Sequence, residues 1–377
     1  MLRNCIQIKI NTITIFFKLI SMVMIFAKAK GGERELTTLK IKVNTVTPLW
    51  TGNASGTCKR IQPQSVMGSL RFWFEVICYA SSKIDVKSYQ AEKVDYNKFK
   101  SGVYNILSSA ERNNEVGMSL FEIKQRSLEE LKVSLPSQIF GCNGWCGFVK
   151  IKKLEYSIHS FLNDQLELPK YILKESIERQ KPSKWYYEKP YFWGDFCLYL
   201  ELESDELKKT IIYPLLHFIE IYGFIGGKNN LGYGRVKFEV EDENLEIYNS
   251  FKIKGYPEIN CSEIVKENIA NFKDLLEDSL IENRQIGLYI MGRSKDTDYK
   301  KISEKLVKYK SDMRSAVDDK EKRHYIFGST KRDKYQNIEG PNATKIIPWI
   351  NKTANNSYQY GFISLILLQK FLSGVSR

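Results

Sequence analysis

The sequence predicts an α+β protein, and three stretches predict it. Leu39, Ile41 and Val43 alternate with Lys40, Lys42 and Asn44, as a strand with one buried face does. Val66, Leu70, Trp73, Phe74 and Ile77 then recur at three and four residues, the spacing that lines one face of a helix. Phe196, Leu198, Leu200 and Leu202 restore the strand alternation, ahead of an apolar helix from Asp205 to Tyr222 and a further strand ending near Val240. With the strand-like Phe148 to Ile151 between the first helix and Phe196, residues 36–242 read strand, helix, strand, strand, helix, strand. That is the split βαβ order of a ferredoxin-like (RRM-like, βαββαβ) domain.

The remaining segments fill in around this plan. Residues 1–35 form an N-terminal extension of uncertain status. Its apolar runs are broken by Lys9, Lys18 and Lys28, so none approaches the ~18 uncharged residues of a membrane span. A secretory signal is the lesser alternative there, and Met22 or Met24 are equally good starts. A mostly helical insertion is expected at about 81–137, with helical patches at Tyr96 to Leu107 and Leu120 to Leu131. Residues 243–377 read as a charged connector and a second, smaller ferredoxin-like domain. Its expected parts are a strand at Ile286 to Met291 and a helix striped by Ile302, Leu306, Tyr309 and Met313. Strands follow near His324 to Gly328, Thr344 to Ile350 and Gln359 to Leu367.

Charge points to the partner. Lysine and arginine number 57 against 44 acidic side chains, a formal charge of +13, which makes a polyanion the first partner to test. Seven cysteines, an odd number in a chain large enough to bury its own core, fit reduced thiols in a cytoplasmic protein. Cys142 and Cys146 lie in a glycine-rich turn, but no second Cys or His pair completes a metal set, so no metal or other cofactor is expected.

Within the central helix, Ser65 is a candidate cap and Gly68 suggests a close backbone neighbour. Phe72 and Tyr79, opposite the main stripe, suggest cover on a second side. Arg71 at the margin has two readings, a bidentate clamp for phosphate or an i,i+4 pair with Glu75. Lys59 and Arg60 end a polar loop that leads into this helix. Lys184 to Trp193 interleaves aromatics with lysines, as a base-stacking surface would, although such clusters more often fill a seam.

Ile225 to Val240 holds Gly226, Gly227, Gly232 and Gly234 between a helix and a strand. Nucleotide folds run strand, glycine loop, helix, so this reversed order excludes them. Two readings remain: a plain turn, or backbone amides beside a phosphate chain with Lys228, Asn229, Asn230 and Arg235 as further donors. The lysines at 300, 301, 305, 308 and 310 read as a solvated helix face rather than a nucleic-acid stripe.

Several of these stretches together resemble one family. Val46 to Leu49 with Gly52, the helix Gly68 to Phe74 (GSLRFWF), the loop Gly226 to Arg235, Phe140-Gly141 and Ile326 to Gly328 are similar to the RAMP proteins of CRISPR defence. Within them they resemble the first-numbered subunit family of the type III-B Cmr effector complex. The resemblance implies paired ferredoxin-like domains and a non-catalytic subunit of an antiviral ribonucleoprotein. Its partners would be guide RNA, target RNA and other Cmr-complex subunits, with no membrane. Carried over by position, it implies RNA-backbone contacts by Lys59, Arg60, Arg71, Lys228 and Arg235, with Trp73 and Phe74 supporting Arg71. Glu75, where many relatives carry a second arginine, is a departure.

A ribonuclease needs a positioned acid and base or a held metal. His159, His217 and His324 are scattered along the chain, and Asp195 is the first carboxylate to suspect if cleavage occurs. No catalytic residue is assigned. The alternatives are a RAMP endoribonuclease that processes CRISPR precursor RNA and a protein-only assembly scaffold.

Overall fold

The computed structural model describes residues 36–365, except 54, 81–91, 113–117, 164–166, 170–183, 187–189, 243–244, 251–287, 295–298, 316, 318, 336–337, 343 and 354. The N-terminal extension and most of the connector therefore lie outside the described residues.

Strand β1 (Thr37–Thr45) sits inside a four-stranded antiparallel sheet with β2 (Val149–Tyr156), β3 (Asp195–Leu202) and β4 (Val236–Glu241), in the order β2-β3-β1-β4. Leu39, Ile41 and Val43 oppose Leu200, Leu198 and Phe196, and all six are buried. Because side chains alternate across a strand, the polar residues between them share the outer face. That face compensates its own charge: Lys40 pairs with Glu241 at 2.7 Å, Lys42 with Glu239 at 3.8 Å, and Asn44 donates to Glu239 at 2.9 Å.

Helix α1 (Pro63–Ala80) begins at a proline, whose missing N–H costs nothing in the first turn, so Ser65 lies within the helix and is not its cap. Its stripe Val66, Leu70, Trp73, Phe74 and Ile77 is buried on the sheet, and Trp73 Nε1 donates to the Phe224 carbonyl at 2.9 Å. The opposite face is open, contrary to expectation. Phe72 is 45% and Tyr79 37% exposed, and among the described residues nothing lies within 4 Å of where a Gly68 Cβ would stand.

The insertion contains α2 (Tyr96–Arg112), α3 (Leu120–Glu130) and α4 (Leu135–Phe140). Ser119 and Glu122 close a capping box on α3, which satisfies two otherwise orphaned N–H groups. The second long helical stretch runs through Asp205–Leu207, a wide turn at Lys208–Ile212, and α5 (Tyr213–Tyr222). Pro214 lacks the N–H that would continue the regular ladder, which accounts for the wider turn before it. A short helix, α6 (Leu245–Ser250), follows β4.

The second half departs further from the expected plan. After β5 (Leu288–Ser294) come α7 (Tyr299–Ser315) and α8 (Lys320–Phe327), so the strand expected near His324 is a helix. A hairpin of Ser329–Tyr335 with Ile338–Asn342 follows, then β6 (Ile346–Lys352) and β7 (Tyr358–Ser364). Among the described residues β5, β6 and β7 form a three-stranded antiparallel sheet in the order β6-β7-β5. One face packs Ile346, Ile350, Tyr360 and Phe362 with Ile302, Leu306 and Met313 of α7. The other sends Leu288, Ile290, Ile347, Trp349 and Ile363 into the core of the first half. The two halves thus share one hydrophobic interior.

Candidate nucleic-acid interface

The loop after β1 is held from below. Cys58 is fully buried, and its Sγ accepts from the Thr51 N–H at 3.3 Å. Thr51 Oγ1 donates to the Arg60 carbonyl at 3.1 Å and accepts from the Gln62 N–H at 3.0 Å. Asn53 Oδ1 accepts from the Thr57 N–H at 3.0 Å and from Ser55 Oγ at 2.7 Å. This side-chain-to-backbone bonding fixes a turn that apolar packing alone does not. Lys59 and Arg60 emerge from it exposed.

The glycine-rich loop is fastened to the same place. The Gly227 N–H donates to the Trp50 carbonyl at 2.8 Å, the Gly226 N–H to Ser69 Oγ at 2.9 Å, and the Gly234 N–H to the Pro48 carbonyl at 2.8 Å. Gly226 has φ +80°, and a Cβ there would meet the Trp50 carbonyl oxygen at 2.5 Å, so only glycine fits. Lys228 adopts the left-handed region at φ 62°, uncommon for a residue with a Cβ, and its Nζ lies 4.9 Å from the centre of the Trp50 ring. Asn229 to Leu231 form one 3-10 turn, with Asn230 exposed at its tip. Trp50 Nε1 and Asn229 Oδ1 are buried here with no hydrogen-bond partner among the described residues. In folded proteins such groups are few, and each calls for an explanation.

Of the residues expected from sequence, Lys59, Arg60, Gly226, Gly227, Lys228, Asn229 and Asn230 are therefore gathered around the Trp50 to Gly52 segment. Gly232 and Gly234 are buried beneath them, and Gly232 lies against Pro348 of β6. Arg235 is elsewhere: it is 1% exposed. Its guanidinium donates to the carbonyls of Ile219 (3.0 Å), Glu220 and Gly223 at the end of α5, and to Ile350 of β6 (3.3 Å). The last carbonyls of a helix are orphaned acceptors carrying partial negative charge, so a buried guanidinium is well satisfied there. It therefore presents nothing to an RNA strand.

Arg71 also turns inward. It donates to Glu75 Oε1 at 2.7 Å, to Ser137 Oγ at 3.0 Å and to the Gly141 carbonyl, tying α1 to the end of α4. Residues two apart on a helix point roughly 200° apart, so Arg71 and Ser69 flank the buried stripe from opposite sides. The glycine loop sits on the Ser69 side.

Three contributors are not evident from sequence. Trp50 carries the platform, and its position shortly before Gly52 is the one signal for it. Ser69, one turn beyond Ser65, holds the Gly226 amide. Lys310, expected on a solvated face, is 7% exposed and donates to the Asn230 carbonyl at 3.1 Å. Burial, with Arg314 adding like-charge repulsion, lowers its pKa to about 7. The aromatic run before β3 fills a seam: Tyr191 and Phe192 are buried, and Trp193 stacks on Tyr299 at 4.3 Å.

The histidines stay apart. His159 lies in an exposed 3-10 turn. His217 is buried, with Nε2 2.9 Å from the Tyr248 carbonyl, and His324 lies on α8. Among the described residues, no group of three or more His, Cys, Asp or Glu is placed to hold a metal ion, and no helix is long and apolar enough to cross a membrane.

No curated protein matches the sequence. Solved structures similar to the chain include apo Cmr1 from Pyrococcus furiosus, at 17% identity and TM-score 0.38, covering 87% of each chain. A chain of the type III-B Cmr-beta complex, whose structure was determined with cognate target RNA and AMPPnP, has 13% identity and TM-score 0.40. That alignment covers 91% of this chain and 99% of the other. A chain of a type IV-B CRISPR complex has 13% identity and TM-score 0.33, covering 61% and 99%. The family model described as the RAMP superfamily matches residues 42–237, more than half of the sequence and nearly the whole span from β1 to β4. The chain belongs to the RAMP superfamily.

Proposed function

We propose that this protein is a non-catalytic RNA-binding subunit of a type III-B CRISPR ribonucleoprotein, contacting guide RNA and neighbouring subunits and helping to capture target RNA. One observation carries the reading. The Gly227 to Trp50 hydrogen bond places Lys228 and the 3-10 turn on the same surface as Lys59 and Arg60. That surface offers three cationic side chains and the Trp50 indole, with Lys228 Nζ 4.9 Å from the centre of its ring. Clustered cations suit a ribose-phosphate strand, which binds without chemistry being done on it. The amides of Gly226, Gly227, Gly232 and Gly234, expected to face phosphate, donate inside the protein instead and hold the loop in place. The net charge of +13 favours the same partner. The outer face of β1 is less suited to the role, because Lys40 and Lys42 there already face Glu241 and Glu239.

The test is fluorescence anisotropy with single-stranded RNA across a salt series. Each phosphate contact contributes about −0.7 to the slope of log K against log salt for a single strand. A Lys59→Ala/Arg60→Ala/Lys228→Ala variant should bind more weakly and with a shallower slope, and the RNA should stay intact without added metal. Binding indifferent to salt, or unchanged in that variant, overturns the reading.

A further inference from the structure

Helix α2 is attached by one face and open on the other. Its inner side lies close to α3: a Cβ on Gly102 would fall 2.4 Å from Ser127 Oγ, which itself donates to the Phe99 carbonyl at 3.0 Å. Phe99 is buried against Trp145 at 5.1 Å. On the outer side Tyr96 is 56%, Tyr104 70% and Leu107 38% exposed, and Lys98, Lys100, Ser101 and Asn105 are exposed beside them. Tyr96, Lys100 and Tyr104 are spaced by four, so they form one row about 12 Å long. Lys100 Nζ lies 4.9 Å from the centre of the Tyr96 ring. Between Tyr96 and Ala110 the helix carries Lys98 and Lys100 and no acidic residue. Lys93 precedes it, as does Asp95, whose Oδ1 accepts from the Asn97 and Lys98 N–H groups.

We propose that the outer face of α2 is a second contact for single-stranded RNA, with Tyr96 and Tyr104 stacking bases and Lys100, between them in the row, meeting a phosphate. The inference rests on the RNA-binding reading above and extends it to the insertion. Alternation of aromatic rings with lysines is the chemistry of sequence-tolerant single-strand binding, since every base offers a π-face and every linkage a charge. A protein partner is less well matched. Interface cores are depleted in lysine, and this row has a lysine at its centre. The aromatic and lysine run at 184–193 has the same composition, but its described rings Tyr191, Phe192 and Trp193 pack inward. On α2 the row faces solvent.

The experiment compares the unaltered chain with Tyr96→Ala/Tyr104→Ala and with Lys100→Ala. Probes are a single-stranded RNA and an abasic strand of equal length. The tyrosine pair should cost about tenfold or more in affinity for the RNA and little for the abasic strand, because base stacking is what is removed. Lys100→Ala should weaken both and lower the salt slope by about 0.7. Unchanged unfolding midpoints keep misfolding out of the comparison. Wild-type affinity in the tyrosine variant overturns the inference, as does equal loss on both strands or a defect seen only in capture of partner subunits. The Lys59, Arg60 and Lys228 variant is run in parallel. If it loses affinity while the α2 variants do not, the second contact alone fails; if the wild type binds neither strand, both readings fail.

Discussion

The guanidinium of Arg235 lies 5.2 Å from the ring of Trp349, and the two residues come from opposite halves of the chain. Trp349 Nε1 donates in turn to the Ile221 carbonyl at 2.7 Å, so both side chains terminate α5 and join it to β6. Replacing Arg235 with Met leaves the carbonyls of Ile219, Glu220, Gly223 and Ile350 without this donor inside the protein. The expected loss is about 3–5 kcal/mol, the cost of breaking a buried charge-assisted network. Arg235→Lys should recover little of it, because a single ammonium cannot span acceptors arranged for a planar fork. Urea unfolding midpoints measure both.

Lys310 predicts a pH dependence. Its folded pKa is about 7 against an ordinary 10.5, so between those values the unfolded chain binds more protons than the native one. Stability attributable to this residue therefore rises with pH from about 7 to about 10.5, and the penalty for burying the charge is fully present below pH 7. Lys310→Met should remove that slope, and the variant should gain most over wild type at the acid end of the window. Denaturant midpoints measured at several pH values compare the two chains. A wild-type profile parallel to that of the variant would contradict the assignment.

Arg235 and Lys310 show where legibility ends. The alternation of β1 and the stripe of α1 are plain in the sequence, because a period reports which face of an element is buried. A period does not report what arrives from the far end of the chain. Arg235 follows Gly234 in a loop that looks solvated, yet β6, more than a hundred residues later, closes over it. Lys310 shares its helix with exposed lysines but turns toward Asn230. Gly68 fails in the opposite sense: a glycine within a helix suggests close approach, and among the described residues nothing lies within 4 Å of where its Cβ would stand. The glycine loop is legible as a loop, whereas its anchor at Trp50 depends on tertiary contact.

Arg71 separates folding from binding. Its side chain is 25% exposed and ties α1 to Ser137 and Gly141. Arg71→Ala should lower stability by about 1–3 kcal/mol through loss of those charge-assisted bonds. The salt slope of RNA binding should stay within error of wild type, whereas Lys59→Ala lowers it. Parallel unfolding and anisotropy titrations read the two effects independently.

Lys228 offers the cleanest separation of charge from backbone. Its φ of 62° carries a steric cost for any residue with a Cβ, about 1–2 kcal/mol, which glycine does not bear. Lys228→Gly keeps the turn while removing the cation above Trp50, and glycine's greater freedom in the unfolded chain offsets part of the relief. Stability should therefore change by no more than about 1 kcal/mol, while the RNA salt slope falls by about 0.7. Gly226→Ala reverses the test. Its Cβ would meet the Trp50 carbonyl oxygen at 2.5 Å with φ at +80°, so the loop must shift although no charge is lost. Affinity should then fall with the slope nearly intact, since the cations remain but their placement around Trp50 does not. If both variants behave alike, the shape of the loop and its charge are not separable contributions, and the glycine backbone does not serve to position those cations.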